Sequence, residues 1–248
     1  MRRRTLAALA ALSALGHAAP APAAQVAVGS GSSLDLGTGS LDLGCADLTV
    51  GGTLSAGTAG FGQARDVTID PTGVVNGDSA TLEVAGDWDN AGTFNAGTST
   101  VQLVDGCGLL SAVIAGDTTF ANLDVTTTSG KLYTFTSGST QTVTNSFTLL
   151  GATGNLLTLR STVGGSAAFL DGQGTGGGDF VDVQDIDATA GNPITLGPNS
   201  VKGSNTPGWL ASALVPVFGA LGLALLAFSL LWSGLRALAT RRGSVATR

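Results

Sequence analysis

Apolar residues run through most of this chain in short alternating couplets: Leu34/Leu36, Leu41/Leu43, Leu48/Val50, Val67/Ile69, Leu82/Val84 and Val101/Leu103. Each couplet is cut off within a few residues by Gly, Asn, Asp or Pro. A period of two puts both apolar side chains on one face, so each couplet predicts a short, half-buried strand ended by a tight turn. Abundant Thr adds strand propensity without adding hydrophobicity. From Gln25 to about Pro207 no stretch carries the 3.6-residue period of a helix. Further on, Tyr133 and Phe135 share a face, as do Val143, Phe147 and Leu149, and then Leu157 and Leu159.

The strands also repeat. "SLDLG" occurs at 33–37 and again at 40–44; "DLTV" (47–50), "DVTI" (66–69), "TLEV" (81–84) and "NLDV" (122–125) form a looser series; "GGTLSAGT" (51–58) echoes "AGTFNAGT" (91–98). Degenerate self-similarity near 20 residues predicts a parallel β-helix, or β-solenoid, in which one coil buries its apolar face only by stacking on the next. About 180 residues at about 20 per coil gives about nine coils and a rod on the order of 40 Å. The alternative is a β-sandwich, which short strands at 8–12-residue spacing also satisfy.

The two ends differ from this middle. Arg2 to Arg4, the apolar Leu6 to Gly16 and the small residues Ala21-Pro22-Ala23 have the layout of a signal peptide over 1–23, cut after Ala23. At the other end, Leu210 to Leu235 is an uncharged run of 26 residues followed at once by Arg236. It is long enough to span a bilayer, and arginines beyond it place the C-terminus inside. The expected organisation is therefore a signal peptide over 1–23, an ectodomain over 24–207, a C-terminal anchor or sorting segment over 208–242, and a cytoplasmic tail over 243–248. Such a chain is exported: an inner-membrane precursor and a cell-surface or extracellular mature form.

Charge and composition narrow the chemistry. All 17 acidic residues lie between Asp35 and Asp187, and the ectodomain's basic residues are Arg65, Lys131, Arg160 and Lys202 alone. So acidic a middle lacks the basic footprint that nucleic acid requires. The single histidine, His17, lies in the segment expected to be removed, which excludes Ser-His and Cys-His catalysis and His-ligated zinc from the mature chain. Cys45 and Cys107, an isolated pair in an exported region, predict a disulfide worth roughly 4 kcal/mol by loop entropy.

Two constellations invite functional readings. Asp171, Asp179, Asp182, Asp185 and Asp187 cluster in sequence near Arg160, and Asp182, Asp185 and Asp187 are candidate Ca²⁺ ligands, since calcium takes six to eight oxygens. Their spacing fits neither an EF-hand nor the Gly-rich calcium repeat, and the competing reading is that each aspartate caps its own turn. "GQGTGGGD" (172–179) lacks the lysine and following helix of a phosphate loop and reads as a flexible loop between coils. No catalytic residue, cofactor or metal is assigned.

Residues Phe120–Val125, Gly130–Phe135, Ser139–Thr144, Gly154–Ser161, Val183–Ala188 and Asn205–Trp209 match in turn the pieces "F-x-N-L-x-V", "G-x-x-x-T-F", "S-x-Q-T-V-T", "G-N-x-L-x-L-R-S", "V-x-D-x-D-A" and "N-T-x-G-W". In this the chain resembles bacterial secreted, surface-associated repeat proteins, and "GDWDNAGTFNAGTSTVQLVDG" (86–106) is similar to the preceding repeat of such proteins. The resemblance implies a β-helical ectodomain and no particular reaction. The tail, with Val215-Pro216-Val217-Phe218-Gly219, an apolar span and Arg236, Arg241 and Arg242, resembles the exosortase-type sorting tails of Gram-negative bacteria, especially the variety beginning Ile-Pro-Thr-Leu. Here Val215 stands for the Ile and Val217-Phe218 for Thr-Leu. The resemblance implies a membrane-embedded sorting protease as a partner.

Two functions follow as expectations: a non-enzymatic surface or matrix protein, serving adhesion, envelope structure or biofilm and meeting extracellular glycan or other surface components, or a secreted carbohydrate-active β-helix or glycan-binding module. The absence of histidine from the mature chain, the two lysines and the low aromatic content favour the first.

Overall fold

The computed structural model describes residues 24–212, and every regular element in that range is a β-strand. Among the described residues no helix is long and apolar enough to cross a membrane. The signal peptide over 1–23, the sorting residues Val215 to Gly219 and Arg236, Arg241 and Arg242 lie outside the described residues.

The strands stack in parallel on three faces. The first face carries β1 (Gln25–Val28), β4 (Asp47–Val50), β7 (Val67–Ile69), β10 (Trp88–Asn90), β13 (Ser111–Ala115), β15 (Leu132–Phe135), β17 (Leu157–Ser161), β20 (Val181–Gln184) and β23 (Val201–Lys202), in that order. The second carries β2 (Ser33–Asp35), β5 (Thr53–Ser55), β8 (Val74–Asn76) and β11 (Thr93–Asn95). The third runs β3 (Ser40–Asp42), β6 (Gly60–Ala64), β9 (Thr81–Val84), β12 (Thr100–Leu103), β14 (Thr118–Thr126), β16 (Thr140–Leu150), β19 (Thr175–Asp179), β22 (Ile194–Leu196) and β24 (Trp209–Ala211). β18 (Ala168–Gly172) pairs with β16 and with β21 (Ile186–Asp187).

This is a β-solenoid of about eight turns. Parallel pairing of each strand with one a full coil away excludes the facing antiparallel sheets of a sandwich. The turn count falls one short of nine because the coils are uneven. The step from one coil to the next is 19 residues between Asn76 and Asn95 but 26 between Asp87 and Val113.

From β14 onward the corner between the second and third faces changes. In β14 and β16 a bulge between Phe120 and Asn122 replaces the turn, so one long strand covers both faces. The couplets point inward throughout, and Leu48, Val50, Leu54, Ile69, Leu82, Val84, Val101 and Leu103 are buried in one continuous core. Trp88, Phe94 and Phe120 meet inside it, with ring centroids 5.1 to 5.9 Å apart.

The repeats resolve into faces and coils. The two "SLDLG" copies are β2 and β3, neighbouring faces of a single coil, whereas "DLTV" and "DVTI" stack directly, Leu48 on Val67. "GGTLSAGT" and "AGTFNAGT" hold β5 and β11, two steps apart on the second face.

The glycine run is not a loop. Gly172 ends β18, and Thr175–Asp179 forms β19, paired with β16. Glycine is needed there because the Phe147 ring fills the space of a side chain: a Cβ on Gly176 would meet that ring at 2.5 Å and one on Gly172 at 2.8 Å. β24 extends the solenoid to Ala211, beyond the expected boundary at 207 and into the start of the apolar run, with Ile194 paired to Trp209.

Candidate functional site

Outward-facing polar residues on this fold mostly bind the next coil. Asp66 Oδ1 accepts from the Asp87 amide at 2.8 Å, Asp87 Oδ1 from the Val113 amide at 2.7 Å, and Asp78 Oδ2 from the Gly57 amide at 3.0 Å. The Asn95 amide donates to Asn76 Oδ1, and that of Asn76 to Ser55 Oγ. Corner amides left over by the turns are thus satisfied by side chains one coil away.

The aspartates that cluster in sequence are separated by this geometry. Asp182 on β20 pairs with Arg160 on β17 at 2.6 Å. Asp185 accepts from the Gly165 amide and from Asn205. Asp187 accepts from both the amide and the hydroxyl of Thr189. Asp179 accepts from the Phe180 and Asn199 amides and the Asn199 side chain, and Asp171 from Gln173. The Asn199 side chain, outweighing desolvation, and the two backbone amides hold Asp179 below the ordinary carboxylate range. Asp185 is lowered first by the Gly165 amide and then by Asn205.

Asp182, Asp185 and Asp187 therefore do not come together as calcium ligands. Asp182 is committed to its ion pair with Arg160, Asp185 to Gly165 and Asn205 in the coils on either side, and Asp187 to its own turn. Among the described residues no group of three or more His, Cys, Asp or Glu is placed to hold a metal ion.

The densest polar arrangement lies elsewhere, along the corner joining the third face to the first. Cys45 and Cys107 form a disulfide there, with Cα atoms 5.5 Å apart. Beside it, Asp105 accepts from the hydroxyls of Thr127 (2.6 Å), Ser129 (2.9 Å) and Thr128 (3.0 Å) and from the amides of Thr128 and Ser129. Partial burial alone would raise its pKa, but these bonds outweigh it and hold the carboxyl down at about 2. The Thr127 hydroxyl in turn accepts from the amides of Ser129, Gly130 and Lys131.

That turn aims Lys131 inward, where it is fully buried. Its ammonium donates to the carbonyls of Ala85 and Val104 and lies 5.1 Å from the Tyr133 ring centre, while the Tyr133 hydroxyl also donates to Val104. Desolvation lowers the Lys131 pKa, partly offset by Asp105, Asp87 and Asp66. Desolvation likewise raises that of Tyr133. A folded-state lysine pKa below 10.5 means that folding is penalised while the ammonium is charged. The penalty fades as pH rises through the folded pKa toward 10.5. Denaturation midpoints compared between pH 7 and pH 10 should move in favour of the wild type relative to Lys131→Met; parallel curves would show that burial costs this ammonium nothing.

Two cavities flank the seam. One, of about 210 Å³, is lined by Cys45, Gln63, Glu83, Ala85, Asp105 and the disulfide partner Cys107. The other, of about 300 Å³, is an open trough along Val104, Asp105, Thr126 to Thr128 and Leu150. In the trough the Thr127 and Thr128 hydroxyls reach Asp105, but a carboxyl held down at about 2 is a weak base for activating them. Asp105, the carboxylate they share, is already saturated with hydrogen bonds. Apart from its cysteines, the seam's one sign in the sequence is "TTTSGK" (126–131), a hydroxyl-rich turn one coil beyond Asp105. Comparison of the chain with protein-family models, with curated proteins and with solved structures finds no match.

Proposed function

We propose that this chain is a non-enzymatic exported protein whose β-solenoid is displayed at the cell surface or in the extracellular matrix. There it serves adhesion, envelope structure or biofilm. The observation that carries this reading is the deployment of the acidic side chains. Asp66, Asp78, Asp87, Asp105, Asp179 and Asp185 each accept amide bonds that close a turn or join adjacent coils, and Asp182 is paired with Arg160. A polysaccharide-cleaving β-helix needs carboxylates and a basic group converging on one groove. Side chains spent on the scaffold suit a rod that presents its surface.

The disulfide agrees with an oxidising exterior. The expected route is export, cutting after Ala23, retention by the part of the apolar run beyond β24, up to Leu235, and release by a sorting protease acting near Val215–Gly219. Pro216 supports that cutting site, because it removes a backbone donor and biases Val215 toward extended backbone that a protease can grip.

Mass spectrometry of the native surface form fixes both termini. The expected chain starts at Ala24 and lacks Leu221–Arg248. An intact end at Arg248 on surface protein would leave a permanent anchor in place of sorting. An uncut Met1 end on protein confined to the cytoplasm would overturn the display reading altogether. Sugar-polymer turnover by the purified protein, lost on replacing Asp182 and Asp185 with Ala, would make it an enzyme instead.

A further inference from the structure

The two ends of the solenoid are finished differently. At the C-terminal end Trp209 opens β24, the outermost described strand of the third face, yet its ring is turned inward at 1% exposed and donates from its indole to the Ile186 carbonyl. At the N-terminal end β1, β2 and β3 are the outermost strands of all three faces, and Leu34, Leu36 and Leu41 are only partly buried. Among the described residues this coil is paired on one side only, so opening starts there at the least cost.

The disulfide has an unusual reach for such a stack. Cys45 sits in the corner between β3 and β4, and Cys107 in the corner between β12 and β13. The corners of the two intervening coils, at Gln63–Asp66 and Ala85–Asp87, lie between them. Three coil steps of about 4.8 Å put the cysteine-bearing corners about 14 Å apart along the rod. The bridge spans 5.5 Å of this between Cα atoms, and the chain leading into Cys107 passes close over the corner below, where a Cβ on Gly106 would meet that of Ala85 at 3.1 Å. The segment Asp105–Leu110 is therefore a strap drawn across the corners. The cavity behind it is lined from four successive corners, by Cys45, Gln63, Ala85 and Asp105 among others. Leu109 lies so close to Gly86 that a Cβ there would meet its Cδ1 at 2.9 Å. Lys131 continues the same seam upward without covalent bonds, from its own corner to Val104 and Ala85.

We propose that this disulfide-held strap is a redox-sensitive fray stop. It lets the first described coil open only as far as Cys45 and locks β4 to β9 to the rest of the solenoid. When the bridge is reduced, fraying runs on through those strands to the Asp105–Lys131 seam, while the coils beyond stay closed. The device is independent of where the domain is displayed.

Hydrogen exchange read by mass spectrometry tests this on the full chain, purified oxidised and compared before and after a dithiol reductant, with both thiols counted by alkylation. In the oxidised protein residues 25–44 exchange fastest. On reduction, amides in 46–84 are expected to exchange up to about 10³-fold faster, the factor that corresponds to the loop-entropy gain of a bridge closing about 60 residues, and amides in 157–196 are expected to change less than about threefold. Equal acceleration in all coils would make the bridge a global staple, and no acceleration in 46–84 would make the strap irrelevant to fraying. Either result overturns the proposal. Cys45→Ser/Cys107→Ser repeats the comparison without reductant. Should that variant fail to fold, reduction of the already folded protein still decides the matter.

Discussion

Replacing Trp88 with alanine should lower the melting temperature by about 10 °C, the largest single-residue effect expected in this domain. Trp88 is fully buried on β10, stacked between Val67 one coil below and Ile114 one coil above. Its ring meets Phe94 edge-on at 5.1 Å and Phe120 at 5.6 Å, and its indole nitrogen donates to the Thr118 hydroxyl at 3.2 Å. Truncation opens a cavity in the middle of the rod, where coils on both sides prevent collapse, so the cost falls at about 3–5 kcal/mol. For a domain of this size each kcal/mol moves the melting point by about 2–4 °C. Trp88→Phe keeps most of the ring contact and loses the indole hydrogen bond, at a cost of about 1–2 kcal/mol. Thermal unfolding followed by far-ultraviolet circular dichroism separates the two. A Trp88→Ala protein melting within 2 °C of wild type would mean that the aromatic cluster is not the centre of the core.

The same residues show what the sequence could and could not reveal. The couplets found the strands, because a period of two is visible wherever one face is buried: Leu48/Val50, Val67/Ile69 and Leu82/Val84 all lie inside. Stacking was also legible, since 47–50 and 66–69 are alike for the reason that they occupy one column. What a linear repeat cannot distinguish is a step to the next face from a step to the next coil. "DVTI" and "TLEV" look like successive copies, yet one is β7 on the first face and the other β9 on the third. β19 was hidden for another reason. Its glycines carry no hydrophobic signal, and the Phe147 ring that requires them sits 29 residues before Gly176 in the chain. Pairing of the cysteines was readable from their isolation in a region expected to be exported, but the path of the strap was not. It depends on which corners share an edge, which only the register shows. In the Asp171–Asp187 cluster the hydrogen bonds follow the turn-capping reading, because nearness in sequence becomes separation around a corner once the chain coils.

Acid should weaken the domain through Asp105 more than through any other single side chain. The Asp105 carboxyl titrates at about 2 in the folded protein, against an ordinary value of 3.8. A folded pKa held below the unfolded one gives stability that is complete above the unfolded value and lost as pH falls from about 4 through about 2. The size is about 1 kcal/mol once solvent screening of this partly exposed carboxylate is discounted, and it comes from the bonds to Thr127, Thr128 and Ser129, which favour the charged form. Asp47 acts in the opposite sense. Desolvation first, and then the charge of Asp66, raise its pKa, so protonating it in acid relieves a penalty. The raw acid curve of the wild type therefore mixes both signs, and a variant is needed to isolate one. In Asp105→Asn the side chain keeps one acceptor oxygen but turns an NH₂ toward the amides and hydroxyls of 127–129, where five donors already compete. At pH 7 this variant should be about 2–3 kcal/mol less stable. The deficit should shrink steadily below pH 4 as the wild-type carboxylate gains its own proton. Urea midpoints measured from pH 7 to pH 2 on both proteins give that difference directly. A gap that stayed constant down to pH 2 would show that the charge on Asp105, as opposed to its shape, contributes nothing to the turn that buries Lys131.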